Sequence, residues 1–260
     1  CPDWAEEEAI NRAVQMSAAT HCPTYVVHLS THLGMERIKQ AQSLGQAVWT
    51  ETCPQYLLLS DAEMARVGPL AKIGPPLRAE DGPDREAMWR GLEQGHTSIV
   101  SSDHSPHPQE LKQVGWDNIF VTPEGASVPF GSPGLETIVS LTYSEGVVKR
   151  GLPIWWLARV MSENPARIFG LYPKKGVIQV GSDADFLIID PQTDRIITAK
   201  DHQSNAGYTL FEGWQVSGTP WMTLLRGQVL LNQGNLEQRP GYGQFLACEG
   251  PRSPIGGPVR

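Results

Sequence analysis

The sequence predicts an α/β protein, part of a TIM-type (β/α)8 barrel followed by a smaller β-rich domain. Three observations predict it. Strand-like and helix-like segments alternate over the first two thirds of the 260 residues. Chemistry-bearing side chains fall where strands end, in His28-Leu29-Ser30 and Ser102-Asp103-His104. Near Lys175 the pattern changes to β-rich sequence. Alternation implies parallel strands with crossover helices, and a barrel builds its active site at the C-terminal ends of its strands.

Taken in order, Trp4 to Thr20 reads as a helix, with Ala5, Ala9, Ala13 and Met16 at helical spacing and acids at its start. Pro23 to Leu29 is a β-branched run suited to a buried strand. Met35 to Leu44 is a second helix, stopped by Gly45, and Ala47 to Glu51 a second strand. A helix from about Asp84 to Gln94 stops at Gly95, and Thr97 to Ser101 is a further strand. Leu135 to Lys149 and Ile154 to Met161 are helical. Some four strand-helix units fit here, whereas a complete barrel takes about 250 residues, so residues 1–175 read as the C-terminal half of one. Residues 176–260 read as the β-rich domain, with a hairpin arm at Thr223 to Asn232 and a flexible Pro/Gly tail from Gly250 to Arg260.

Composition narrows the function. A net charge of −7 with no basic cluster removes the electrostatic case for nucleic acid. No run approaches the roughly 20 apolar residues of a membrane span. Four scattered cysteines without a CxxC pair point to a reducing cytoplasm. No GxGxxG or Walker loop follows a strand, which weakens a nucleotide-binding reading. The chain starts at Cys1 rather than Met, so an upstream segment is expected.

Asp103 directly follows a strand. A carboxylate there can hold a metal through one oxygen and take a proton from water through the other. An isolated Ser-Asp-His triplet is more often a capping aspartate, and a lone strand histidine such as His28 is more often a satisfied core residue. Imidazole and carboxylate are nevertheless the donors of catalytic zinc sites. Their placement on separate strand ends raises the case for a metal. His21, His32, His96 and His202 read as surface residues, Cys53 as core beside the site, Trp155-Trp156 as core or interface, and Asp183 and Asp185 as turn chemistry.

Val26 to Ser30, Glu51-Thr52-Cys53-Pro54-Gln55-Tyr56-Leu57, Pro75-Pro76-Leu77-Arg78, Ser102-Asp103-His104 and Asn164 to Leu171 resemble the cyclic amidohydrolases in order and spacing. So do Pro173 to Gly176, Gly181 to Asp185 and Phe211-Glu212-Gly213. The resemblance is to the hydantoinase and dihydropyrimidinase group, with allantoinase-like features in Asp103 to Lys112. It implies a metal-dependent hydrolase of cyclic amide C–N bonds. His28 would be a metal ligand, and Asp103 a metal ligand and the general base. The cofactor implied is two divalent ions, Zn2+ by expectation, bridged by a carboxylated lysine and a hydroxide that attacks the ring carbonyl.

The family's His-x-His pair, its lysine and its first single histidine are absent from this chain, so the chain is expected to be a truncated portion, inactive alone and prone to aggregate. Substrate contacts in the family match Gly74, where serine is usual, and Phe130-Gly131-Ser132, where Asn-Gly-Gly is usual. The implied partner is a small cyclic ureide or imide, and a homo-oligomer is expected by analogy. Alternatives are an allantoinase, a non-catalytic dihydropyrimidinase-related assembly protein that has lost its ligands, and a nucleobase deaminase of the related barrel type, which the Pro-Pro-Leu-Arg motif fits poorly.

Overall fold

A computed structural model describes residues 1–237 and 240–248. The expected tail from Gly250 to Arg260 lies outside the described residues. Contacts divide the chain into two compact units. The first holds Cys1–Ile138 with Ile197–Trp214, and the second holds Val139–Ile196 with the described residues from Gln215 onward.

In the first unit, helix α1 spans Asp3–Thr20 and ends at His21 in a left-handed conformation, φ 53°. Its buried face is Ile10, Val14 and Ser17. The expected stripe through Ala9 and Met16 is therefore corrected, since both are exposed, Met16 at 61 %. The longer Ile10 and Val14 side chains remove more apolar surface from water than alanine can, and they set the rotation of the helix. Strand β1 is Thr24–Val26 and helix α2 is His32–Ser43, capped by the Thr31 hydroxyl accepting from the Gly34 N–H at 3.1 Å. Strand β2 is Val48–Thr52. The sequence predicts no element in the next stretch, which contains short helices α3 (Pro54–Leu58) and α4 (Ala62–Val67) and a 3-10 turn at Gly68–Ala71. Helix α5 is Asp84–Gln94, with Gly95 at φ 80° ending it as expected. Strand β3, Ile99–Val100, precedes the short helix α6, Gln109–Gln113.

The three strands form a parallel sheet in the order β1-β2-β3, with Thr24 beside Val48 and Glu51 beside Ile99. Some four strand-helix units are expected from the sequence; three parallel strands are found among the described residues. Met35 and Ile38 of α2 and Met88 of α5 are fully buried, and the Trp89 Nε1–H donates to the Leu57 carbonyl at 3.1 Å. Each such aliphatic side chain contributes about 1.5–3 kcal/mol of burial.

The second unit opens with α7 (Ile138–Thr142), which runs into a π-helical stretch, Tyr143–Lys149. Helix α8 (Ile154–Ala158) likewise continues through a π-helical turn, Arg159–Glu163, into α9, Asn164–Ile168. Of the tryptophan pair, Trp156 is core while Trp155 is 58 % exposed, with the Arg159 guanidinium 5.1 Å from its ring. The antiparallel sheet follows in the order β4-β5-β6-β7: Phe186–Ile196, Gln215–Leu225, Gln228–Asn232 and Asn235–Leu236. The register of β4 shifts between Asp190 and Asp194. Pro191 has no N–H for the ladder, and the Asp190 carboxylate takes the Gln192 N–H at 3.0 Å instead. Gly218, at φ 77°, lies where a methyl group would come within 2.2 Å of the Tyr143 ring, so the π-helical stretch packs directly on the β5 backbone. Lys175 pairs with Asp183 at 2.8 Å and with Asp185, which adds ion pairing to the expected turn role.

Candidate active site

The parallel ladder continues past the regular strands. The Leu29 N–H donates to the Glu51 carbonyl at 2.9 Å, and the Ser101 N–H to the Thr52 carbonyl at 2.9 Å. The Thr52 hydroxyl donates to the Leu29 carbonyl at 2.8 Å. These bonds carry the ends of β1 and β3 to the same level on either side of β2, with His28 on one and Asp103 on the other.

Both residues have left-handed backbones, φ 41° at His28 and φ 47° at Asp103. Five non-glycine residues share that state among those described. His21 caps α1, and Arg226 and Gln233 sit in two-residue hairpin turns ahead of Gly227 and Gly234, where turn geometry demands it. His28 and Asp103 have no such local reason. Left-handed backbone costs an L-residue roughly 1–2 kcal/mol, and uncompensated strain of this kind clusters at functional sites.

The surroundings are electrically coupled. Burial raises the Asp103 carboxyl above the ordinary aspartate value; His28 pulls it back down and Glu51 pushes it further up. Glu51 is held by the Tyr25 hydroxyl, which donates to its Oε2 at 2.6 Å. Burial, then Glu51, raises the Tyr25 phenol. Cys53 is fully buried, and burial with the nearby Glu51 and Asp103 carboxylates pushes its thiol well up. A thiol so raised is no nucleophile at neutral pH. Glu51 and Tyr25 are site neighbours that the sequence reading did not single out.

A second network fixes the segment just after His28. Glu6 of α1 accepts from the Ser30 N–H at 2.9 Å, the Thr31 N–H at 2.9 Å and both hydroxyls, at 2.5 and 2.9 Å. Arg78 closes it, donating to Glu6 Oε2 at 2.8 Å and to the Ser30 hydroxyl at 2.9 and 3.1 Å. Its guanidinium is only 4 % exposed. Glu6 stands four residues before Ile10, on the buried face of α1. Asp84, nearly buried, accepts from the His32 N–H at 2.7 Å and pairs with the ring at 3.0 Å. His32 is therefore half-buried rather than a surface residue, and His96, bonded to Gln42 at 2.9 Å, is likewise half-buried. His21 is exposed and His202 half-buried.

The two residues matched to substrate contacts are brought together. A methyl group on Gly74 would lie 3.6 Å from the Phe130 ring, which is 53 % exposed. His104 anchors the following loop: its Nδ1 accepts from the Gly134 N–H at 3.1 Å and the Leu135 N–H at 3.2 Å.

Imidazole and carboxylate on strand ends either side of β2 are donors of the kind zinc takes. Among the described residues, no group of three or more His, Cys, Asp or Glu is placed to hold a metal ion. A catalytic zinc usually takes three protein ligands, so the donors on this chain fit such ions in kind and fall short in number.

Residues 6–230 match the model of the amidohydrolase family. The chain is similar to the L-hydantoinase of Paenarthrobacter aurescens, 40 % identical over 94 % of this chain and 52 % of that protein. It is also similar to the D-hydantoinase of Geobacillus stearothermophilus, 35 % identical over 94 % of this chain and 51 % of the relative. Among solved structures, a D-hydantoinase from Bacillus sp. AR9 superimposes with a TM-score of 0.88 at 34 % identity, covering 94 % of this chain and 52 % of that one. The chain thus spans about half the length of the relatives it matches.

Proposed function

Because the chain belongs to the amidohydrolase family, we propose that the protein hydrolyses the C–N bond of a cyclic amide, opening a five- or six-membered cyclic ureide of the hydantoin or dihydropyrimidine kind. The observation that carries this is the pair of left-handed strand-end residues, His28 and Asp103, which no turn explains. That its relatives are hydantoinases supports the reaction class.

In this reading His28 and Asp103 are metal donors. Divalent ions, zinc by preference, would lower the pKa of water and polarise a carbonyl, and further donors from outside these residues are needed to hold them. Asp103 is the proton carrier. Its carboxyl is partly buried with His28 and Glu51 as its charged neighbours, and a positioned carboxylate can both take and return a proton. The leaving ring nitrogen is its acceptor. Gly74 and Phe130 border the ring.

The remaining expectations are inferred alongside. Residues 1–175 form the C-terminal half of a (β/α)8 barrel and residues 176–260 a β-rich domain, which the parallel strands before Asp103 and the antiparallel ones after Phe186 support. A cytoplasmic location suits the four free cysteines, and a homo-oligomer is inferred by analogy with the family. No helix among the described residues is long and apolar enough to cross a membrane.

The test is the complete gene product, assayed with hydantoin, dihydrouracil and allantoin side by side. Opening of at least one ring, lost on chelation, is expected. Turnover of none would overturn the proposal and favour a non-catalytic assembly protein. Preference for allantoin would place the protein with the allantoinases, which the Asp103 to Lys112 segment resembles.

A further inference from the structure

Lys112 is the largest of the fully buried side chains in the described structure. Its ammonium donates to the carbonyls of Leu70 and Lys72, each at 3.0 Å, and of Gly131. Burying an ammonium is costly unless all its protons are taken, and here the three acceptors match its three protons. The acceptors belong to two segments, the 3-10 turn at Gly68–Ala71 with the chain that follows it to Gly74, and the loop leading from Phe130 to Ser132. Neither lies in a sheet, so their carbonyls lack ladder partners.

Other bonds run along the same seam. The Gly131 N–H donates to the Lys72 carbonyl at 3.0 Å, and the Tyr208 hydroxyl to the Gly131 carbonyl at 3.3 Å. Lys72 Nζ donates to the Val128 carbonyl at 2.6 Å and lies 4.1 Å from the Phe130 ring centre. The loop has no room to slide. Gly131 sits at φ 110°, and a methyl group there would come within 2.5 Å of the Ser105 hydroxyl. Beyond it the Ser105 N–H donates to the Ser132 carbonyl at 3.0 Å, tying the loop to the segment that carries Asp103.

We propose that Lys112 is a positioning residue: by fastening the Phe130–Ser132 loop to the Lys72–Gly74 segment, it sets the ring-facing edge of the site and with it which cyclic ureide is accepted. The inference rests on the substrate-edge reading of Gly74 and Phe130. Burial and the neighbouring Lys72 ammonium lower the Lys112 amine to about 8, which still leaves it mostly protonated, with three protons to donate, at neutral pH.

The experiment uses the complete gene product and the variant Lys112→Met, which keeps an unbranched side chain one atom shorter and removes its donors. In wild type the Gly131 amide is expected to be protected from hydrogen exchange. In the variant its exchange should rise about tenfold or more while amides of β2 keep their rates, because the loss is local. With hydantoin and dihydrouracil as probes, KM is expected to rise about tenfold with kcat within a few-fold, and the preference between the two rings to change. A merely destabilising change, Met88→Ala in the helical layer, should move the melting temperature without that KM split. Equal exchange of Gly131 in wild type and variant would overturn the proposal, whether or not the protein turns over either ring. Unchanged KM and ring preference in an active variant would overturn it as well. If Lys112→Met does not fold, Lys72→Met reads the same seam through Val128 and Phe130, with a smaller KM rise expected and an unchanged KM contradicting. A wild type that opens no ring speaks against the hydrolase reading alone, since the exchange measurement needs no turnover.

Discussion

Two places in this molecule hold non-glycine residues in the same left-handed backbone state, and they do so for opposite reasons. At the ends of the β5-β6 and β6-β7 hairpins, Arg226 and Gln233 are each followed by glycine, and the two-residue turn requires the conformation. At the ends of the parallel strands, His28 and Asp103 are followed by Leu29 and His104, with no turn to require it. The hairpin strain is local geometry. The strand-end strain is held in place by tertiary contacts, such as the Leu29 N–H on the Glu51 carbonyl and the Ser30 N–H on Glu6. Identical dihedrals therefore carry different meaning, depending on whether the neighbouring residues explain them.

The largest effect expected from this contrast is on activity. In the complete protein, Asp103→Asn should lower kcat/KM by about 10²–10⁴-fold, the usual worth of a general acid or base, with the melting temperature little changed because asparagine tolerates the left-handed region. Steady-state kinetics beside a thermal melt checks both halves. The next largest is on stability. Arg78→Met leaves Glu6 buried without its cation and should cost about 3–5 kcal/mol in urea denaturation, with His28 function falling as its supporting segment loosens. Smaller is the backbone term itself. His28→Gly should be more stable than His28→Ala by about 1–2 kcal/mol, since only the alanine keeps the left-handed penalty, while both lose activity. The smallest belongs to the hairpin: Gln233→Asn should gain up to about 1 kcal/mol and leave kcat/KM unchanged. A Gln233 variant that damaged activity would erase the distinction between the two regions.

Much of the architecture could be read from the chain before any coordinates. Asp84 to Gln94 begins and ends where its acids and Gly95 place it. His28 and Asp103 stood out because each lies at the end of a strand-like run. The stripe on α1 differs from the alanine spacing because alanines say little when Ile10 and Val14 compete for the same core. Glu6 read as an acid favouring the helix N-terminus, whereas its main partners, Ser30, Thr31 and Arg78, are 24 to 72 residues away. No local pattern encodes such a partnership. Lys112 shows the same limit. A lysine two residues after Glu110 in a mostly polar stretch carries no sign of burial, and only the folded backbone brings three carbonyls to it. The Ile197–Trp214 excursion that joins the first unit is equally non-local.

The central claim is that His28 and Asp103 serve one site, and a double-mutant cycle on kcat/KM in the complete protein tests it most directly. His28→Ala, Asp103→Asn and their combination should show strongly non-additive losses, the double variant being little worse than the poorer single one. A double variant whose loss equals the product of the two single losses would mean that the residues act independently, and the account would fail.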